Sequence, residues 1–142
     1  MFNKDTQTKE YSMNEYNFRA LVVDDEPIIC RRVSRALADE GIDCTSAYDG
    51  EIAWTMAQEI RYDLVVTDLK MPNKNGRELI TELQQLETPP LIVVLTAVDD
   101  PEVVKSVVQL GADDIMFKPV KMEAFAAKLH AMLETRLDAT RV

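Results

Sequence analysis

Short apolar runs recur along the chain at Phe18–Val23, Asp43–Ala47, Leu64–Thr67, Leu91–Ala97 and Ile115–Phe117. Apart from the weaker second run, they are rich in Val, Ile and Leu and apolar on both faces of an extended chain. Such strands belong to a sheet covered on both sides. The intervening stretches supply the cover. Pro27–Glu40 places Ile29, Val33, Ala36 and Leu37 on one helical face, with Pro27 suited to a first turn and Gly41 to a stop. Gly50–Ile60, Gly76–Leu86, Pro101–Leu110 and the segment from about Met122 onward repeat that spacing. Five strands alternating with five helices predict an α/β fold: a doubly wound, five-stranded parallel sheet with right-handed crossovers.

At 142 residues the chain fits one domain, and its length suffices for a core without disulfides or metals. Residues 1–17 are polar and aperiodic, so the domain is expected over 18–134, with 135–142 an extension or the start of a linker. The 25 acidic against 16 basic residues give a formal net charge of −9. That charge opposes phosphate backbones and anionic membranes, so no nucleic acid or membrane partner is expected for this domain. Cys30 and Cys44 lack metal-ligand spacing and read as free thiols. With no apolar run long enough to span a membrane and no signal-peptide pattern, a cytoplasmic location is expected.

In an open parallel sheet, ligands bind beyond the carboxyl ends of the strands. Asp24-Asp25 follows the first strand; the third ends in Thr67-Asp68, the fourth in Thr96-Ala97 and the fifth in Lys118-Pro119. Taken singly, each has an ordinary structural explanation: Asp25 as a helix cap, Lys118-Pro119 as a turn. Together they place three carboxylates, a hydroxyl and an ammonium on one rim. Two unit charges 4 Å apart repel by about 4 kcal/mol at an effective dielectric of 20, so the carboxylates need cations. Lys118 is one; Mg²⁺, which takes hard oxygen ligands, is the expected other. Such a cluster also suits a phosphoryl group.

The runs Leu21-Val22-Val23-Asp24-Asp25-Glu26-Pro27 and Asp63–Pro72 reaching Gly76, the pair Thr96-Ala97, and Gly111–Asp114 leading to Lys118-Pro119 resemble the receiver domain of two-component response regulators. The resemblance covers about Phe18 to Leu133. It implies a flavodoxin-like (βα)5 sheet of strand order 2-1-3-4-5. By the same resemblance Asp68 is the phosphoacceptor, taking phosphoryl from a sensor histidine kinase or phosphotransfer protein. Asp25 and Asp68 would bind Mg²⁺ directly, Asp24 mainly through water, with the backbone carbonyl of Lys70 completing the set. Lys118 and Thr96 would meet phosphoryl oxygens, and the Lys118–Pro119 peptide is expected to be cis. The domain would catalyse only its own phosphorylation and dephosphorylation, switching a surface for an effector protein or effector domain.

Three positions qualify that expectation. The family carries an aromatic residue where this chain has Ile115; Ile115 and Phe117 are both expected in the core. Lys70 and Val98 flank the path of the water that hydrolyses an acyl phosphate in the family, and neither side chain orients a water as a carboxylate or amide does. Val104 and Val108 widen an apolar stripe, read as a buried helix face or as part of a homodimer or effector interface. Arg31, Arg32 and Arg35 read as a solvated face, and His130 as an exposed residue. Two other readings stay open: a receiver-like interaction module independent of phosphorylation, and a Mg²⁺-dependent phosphohydrolase. The latter lacks a second Asp two residues after Asp68, where Lys70 stands.

Overall fold

The computed structural model describes residues 17–141. The expected polar segment therefore lies outside the described residues except for Asn17, whose N–H donates to the Gly41 carbonyl at 3.1 Å. The strands are β1 (Phe18–Val23), β2 (Ile42–Ala47), β3 (Leu64–Thr67), β4 (Leu91–Thr96) and β5 (Asp114–Phe117). They alternate with α1 (Pro27–Ala38), α2 (Gly50–Glu59), α3 (Gly76–Leu83), α4 (Pro101–Leu110) and α5 (Met122–Arg141). All pairings are parallel, in the order β2-β1-β3-β4-β5.

Strand alternation divides the core in two. Ala20, Val22, Leu64, Val66, Val93 and Leu95 face one way, onto Cys30, Val33 and Leu37 of α1 and Phe125, Leu129 and Leu133 of α5. Leu21, Val23, Val65, Ile92 and Val94 face the other way, onto α2, α3 and Val107 of α4. The apolar-on-both-faces pattern holds for the inner strands β1, β3 and β4. The edge strands depart from it: β2 alternates buried and exposed residues, and β5 is half-buried throughout its first three residues. An edge strand has fewer neighbours to cover it, so fewer of its side chains need be apolar.

Several local expectations change. Helix α3 ends at Leu83 rather than Leu86, because the Gln85 and Leu86 N–H groups tighten onto the carbonyls of Glu82 and Leu83. Phe117 is 43% exposed, not core: β5 is covered on the α4 side only as far as Ile115, which packs half-buried into that cluster. His130 is half-buried, not exposed, since α5 covers the start of β1 and the His130 ring meets the Phe18 ring edge-on at 6.0 Å. Val108 is 55% exposed while Val104 is half-buried, so a buried helix face does not account for Val108. Arg31, Arg32 and Arg35 are exposed, and both cysteines are free thiols.

Candidate functional site

The sheet delivers each strand-end residue by adding a rung beyond the last strand residue. Asp24 N–H donates to the Ala47 carbonyl at 3.1 Å, Asp68 N–H to Val23 at 3.0 Å, and Lys118 N–H to Thr96 at 2.9 Å. Asp24, Asp68, Thr96 and Lys118 are thus fixed by backbone geometry before any side chain is considered. Asp24 and Asp68 flank the point where the chain order of the strands reverses, between β1 and β3, and Thr96 and Lys118 stand at the ends of the next two strands, β4 and β5.

Side-chain contacts then close the cluster. Lys118 Nζ lies 2.8 Å from Asp24 Oδ2 and 3.0 Å from Asp68 Oδ2, bridging two carboxylates that are 3% and 8% exposed. Glu26 N–H donates to Asp24 Oδ1 at 2.9 Å, and Leu69 N–H donates to Asp68 Oδ1 at 2.6 Å. The Thr67 hydroxyl donates to the Asp68 carbonyl at 2.8 Å. Asp25 is exposed, and its carboxylate joins those of Asp24 and Asp68 with ligand oxygens all within 4.8 Å. Asp25 is not the helix cap: the N-cap of α1 is Glu26, followed by Pro27 in the first turn. Thr96 is fully buried and accepts a hydrogen bond from Val98 N–H at 3.2 Å. Lys70 follows Asp68 by two residues, its side chain exposed, and the Lys118–Pro119 peptide is cis.

Electrostatics follow from burial. Burial raises the Asp24 carboxyl above its ordinary range, although the hydrogen bonds from Lys118 and the Glu26 N–H oppose the rise. Burial pulls the Lys118 ammonium down, but its hydrogen bonds to Asp24 and Asp68 outweigh that and leave it raised. Three carboxylates against one ammonium leave a formal charge of −2 on the cluster. All-oxygen donors and that residual charge fit a divalent cation of the magnesium type.

Two neighbours went unremarked in the sequence. Asp49 caps α2 and also accepts from Asn73 Nδ2 at 3.1 Å, tying α2 to the loop after Asp68. The signals were the turn-forming Asp49-Gly50 pair and the Asn-rich segment before Gly76. The cavity of about 470 Å³ beside α5 is lined by Leu91, Asp113 and Met132 among others, not by the carboxylates.

The sheet is doubly wound and carries a lysine-bridged carboxylate cluster at its switch point. The chain belongs to the response regulator receiver domain family, which matches residues 20–130, and is a receiver domain of two-component response regulators. It is 34% identical over 115 residues to the response regulator ArlR of Staphylococcus saprophyticus, covering 81% of this chain and 52% of that protein. It is 39% identical over 114 residues to the probable transcriptional regulatory protein TcrX of Mycobacterium tuberculosis, covering 80% and 48%. The fold matches the chemotaxis protein CheY4 of Vibrio cholerae with a TM-score of 0.72 at 31% identity, covering 80% of this chain and 97% of that one. The chain therefore spans about half the length of the two sequence relatives. Among the described residues, no helix is long and apolar enough to cross a membrane.

Proposed function

We propose that Asp68 accepts a phosphoryl group from a phosphohistidine of a sensor histidine kinase or phosphotransfer protein. The observation that carries this reading is the Lys118 ammonium bridging the buried Asp24 and Asp68 carboxylates beside a third carboxylate, Asp25. An Asp68 oxygen attacks phosphorus in line. The new P–O bond forms as the P–N bond breaks, and the bonding pair returns to the imidazole nitrogen. Asp25 and Asp68 would hold Mg²⁺ directly, Asp24 through water, with the Lys70 carbonyl as the backbone ligand. When bound, the ion offsets negative charge building on the phosphoryl oxygens.

The chain's own residues do the rest. Lys118 already lies 3.0 Å from Asp68 Oδ2, so a phosphoryl oxygen on Asp68 falls within its reach. The Leu69 N–H holds the other Asp68 oxygen and fixes the carboxylate plane. Thr96 accepts from Val98, which leaves its own O–H to donate to a phosphoryl oxygen. A shift of Thr96 toward that oxygen would be the local event that biases the output surface. The domain acts in the cytoplasm on no substrate but itself. Its output passes to an effector protein or a further domain, the relatives being about twice as long.

Intact-mass spectrometry after incubation with a small phosphodonor tests the reading. One phosphoryl addition that requires Mg²⁺ and disappears in Asp68→Asn is expected. No addition, under conditions that modify another receiver, would replace this reading with a phosphorylation-independent interaction module.

A further inference from the structure

We infer that Asp49 and Asn73 are positioning residues for the metal site: their hydrogen bond fixes the loop that carries the Lys70 carbonyl. The inference rests on the metal-binding reading above.

The loop of residues 69–75 connects β3 to α3 and is anchored at both ends. Near Asp68, the Gly76 N–H donates to the Leu69 carbonyl at 3.0 Å. A Cβ on Gly76 would overlap the Asp68 carbonyl oxygen and lie 2.8 Å from Leu69 Cα, so two backbones meet where no side chain fits. At the far end the loop lies against α2. A Cβ on Gly50 would overlap the Lys74 carbonyl oxygen and lie 2.9 Å from Lys74 Cβ. Between these anchors stands Asn73 in the left-handed region, φ 68°.

Asn tolerates that conformation, but Gly adopts it at lower cost. What Asn73 adds is an amide: its Nδ2 donates to Asp49 Oδ2 at 3.1 Å. The other Asp49 oxygen accepts from Ile52 N–H at 2.8 Å. One carboxylate thus caps α2 with one oxygen and holds the loop with the other. Asp49 lies outside the group of Asp24, Asp25 and Asp68, so its charge is not one of the clustered ligands. Mg²⁺ demands near-ideal octahedral geometry, so a small displacement of a carbonyl donor weakens binding. A contact that sets the loop against a rigid helix therefore sets metal affinity.

Calorimetric titration of the full chain with MgCl₂ tests this in four proteins: wild type, Asp49→Asn, Asn73→Gly, and the exchange Asp49→Asn with Asn73→Asp. Asp49→Asn keeps an oxygen for Ile52 N–H and turns an amide toward Asn73, whose own amide turns over to accept with Oδ1, so this variant keeps the contact and loses only a negative charge. Asn73→Gly keeps the left-handed backbone and deletes the donor without altering charge. Asn73→Gly is expected to weaken Mg²⁺ binding about fivefold, the factor that one net hydrogen bond represents, while Asp49→Asn should stay within about twofold of wild type. The exchange rebuilds the bond with its sense reversed at unchanged net charge, so affinity should return to within about twofold of wild type on the same reasoning. Wild-type affinity in Asn73→Gly, or Asp49→Asn and the exchange variant both as weak as Asn73→Gly, would overturn the positioning role while leaving the metal site standing. No Mg²⁺ uptake by the wild type would overturn the metal reading itself, and the positioning role with it.

Discussion

Replacing Lys118 by methionine keeps most of the side-chain stem and removes the charge that bridges Asp24 and Asp68. Both carboxylates are largely shielded from water: they are 3% and 8% exposed, and their remaining hydrogen bonds come from the Glu26 and Leu69 N–H groups. Deleting one member of a buried ion pair typically costs about 3–5 kcal/mol. The Lys118 side chain is 17% exposed, which places the cost near the lower end, about 3 kcal/mol. With a urea slope of about 2 kcal/mol/M, the unfolding midpoint at pH 7 in EDTA should fall by about 1.5 M. The pH dependence has a definite sign. The Asp24 carboxyl is already raised above its ordinary 3.8 by burial, with the Lys118 hydrogen bond among the effects opposing it, so losing Lys118 raises it further. A carboxyl raised on folding contributes stability fully below its unfolded value and loses it as pH rises through the folded value. The deficit of Lys118→Met should therefore be largest at neutral pH and narrow on acidification toward pH 5. A midpoint within about 0.5 M of wild type at pH 7, by the same slope, would refute the reasoning. So would a deficit that widens as pH falls.

Other perturbations test separate parts of the structure. Gly76→Ala pushes a methyl into the Asp68 carbonyl and Leu69 Cα, backbone that cannot swing aside. It should lower stability by about 2 kcal/mol, and an unchanged thermal midpoint would contradict the close approach. Burial pushes the Cys44 thiol up to about 12, with Asp43 adding to the rise, and burial also raises Cys30. At pH 8 only about one Cys44 in ten thousand is thiolate, so native protein should resist iodoacetamide for hours while unfolded protein gains two adducts by mass. Rapid single alkylation of the native state would show the thiol to be accessible. Lys70 is exposed and Val98 half-buried, and neither presents an oxygen to orient a hydrolytic water, so the phosphorylated form should decay slowly. Lys70→Asn or Val98→Glu should speed decay, and unchanged lifetimes in both would discard that account.

The sheet was legible because two periodicities coincide with two solvents. Val65 and Val66 must both be buried, on opposite faces, and only a covered strand does that; β3 lies at the expected Leu64–Thr67. The charged rim was legible for a related reason: Asp24, Asp68, Thr96 and Lys118 each follow an apolar run, and the parallel register carries them to one end. Less legible were contacts that depend on how a helix is rolled about its axis. One residue is a 100° turn, so His130 beside an apolar stripe can face solvent or meet Phe18, and only the docking of α5 decides. The Asp49–Asn73 bond spans 24 residues and two loops, neither of which carries a periodic signal.

Residue 117 shows where register and coverage part company. By register Phe117 is the β5 partner of Thr96, and by alternation it shares a face with Ile115. Pattern alone therefore sends it into the core. The deciding quantity is how far α4 reaches along the edge strand, and that reach ends at Ile115. Phe117 is left 43% exposed at the end of β5, one residue before Lys118 and paired in register with buried Thr96. Val108 of α4 is also exposed, so apolar side chains on both elements lack the cover that the sequence pattern assigns them. The isoleucine at 115 is a stiff, β-branched filler of the inner position, and the aromatic ring stands two residues on, outside the packed layer. Thr96 is linked to β5 by the rung from Lys118 N–H and by its register partner Phe117, and the side chain packed at position 115 is an isoleucine rather than an aromatic ring.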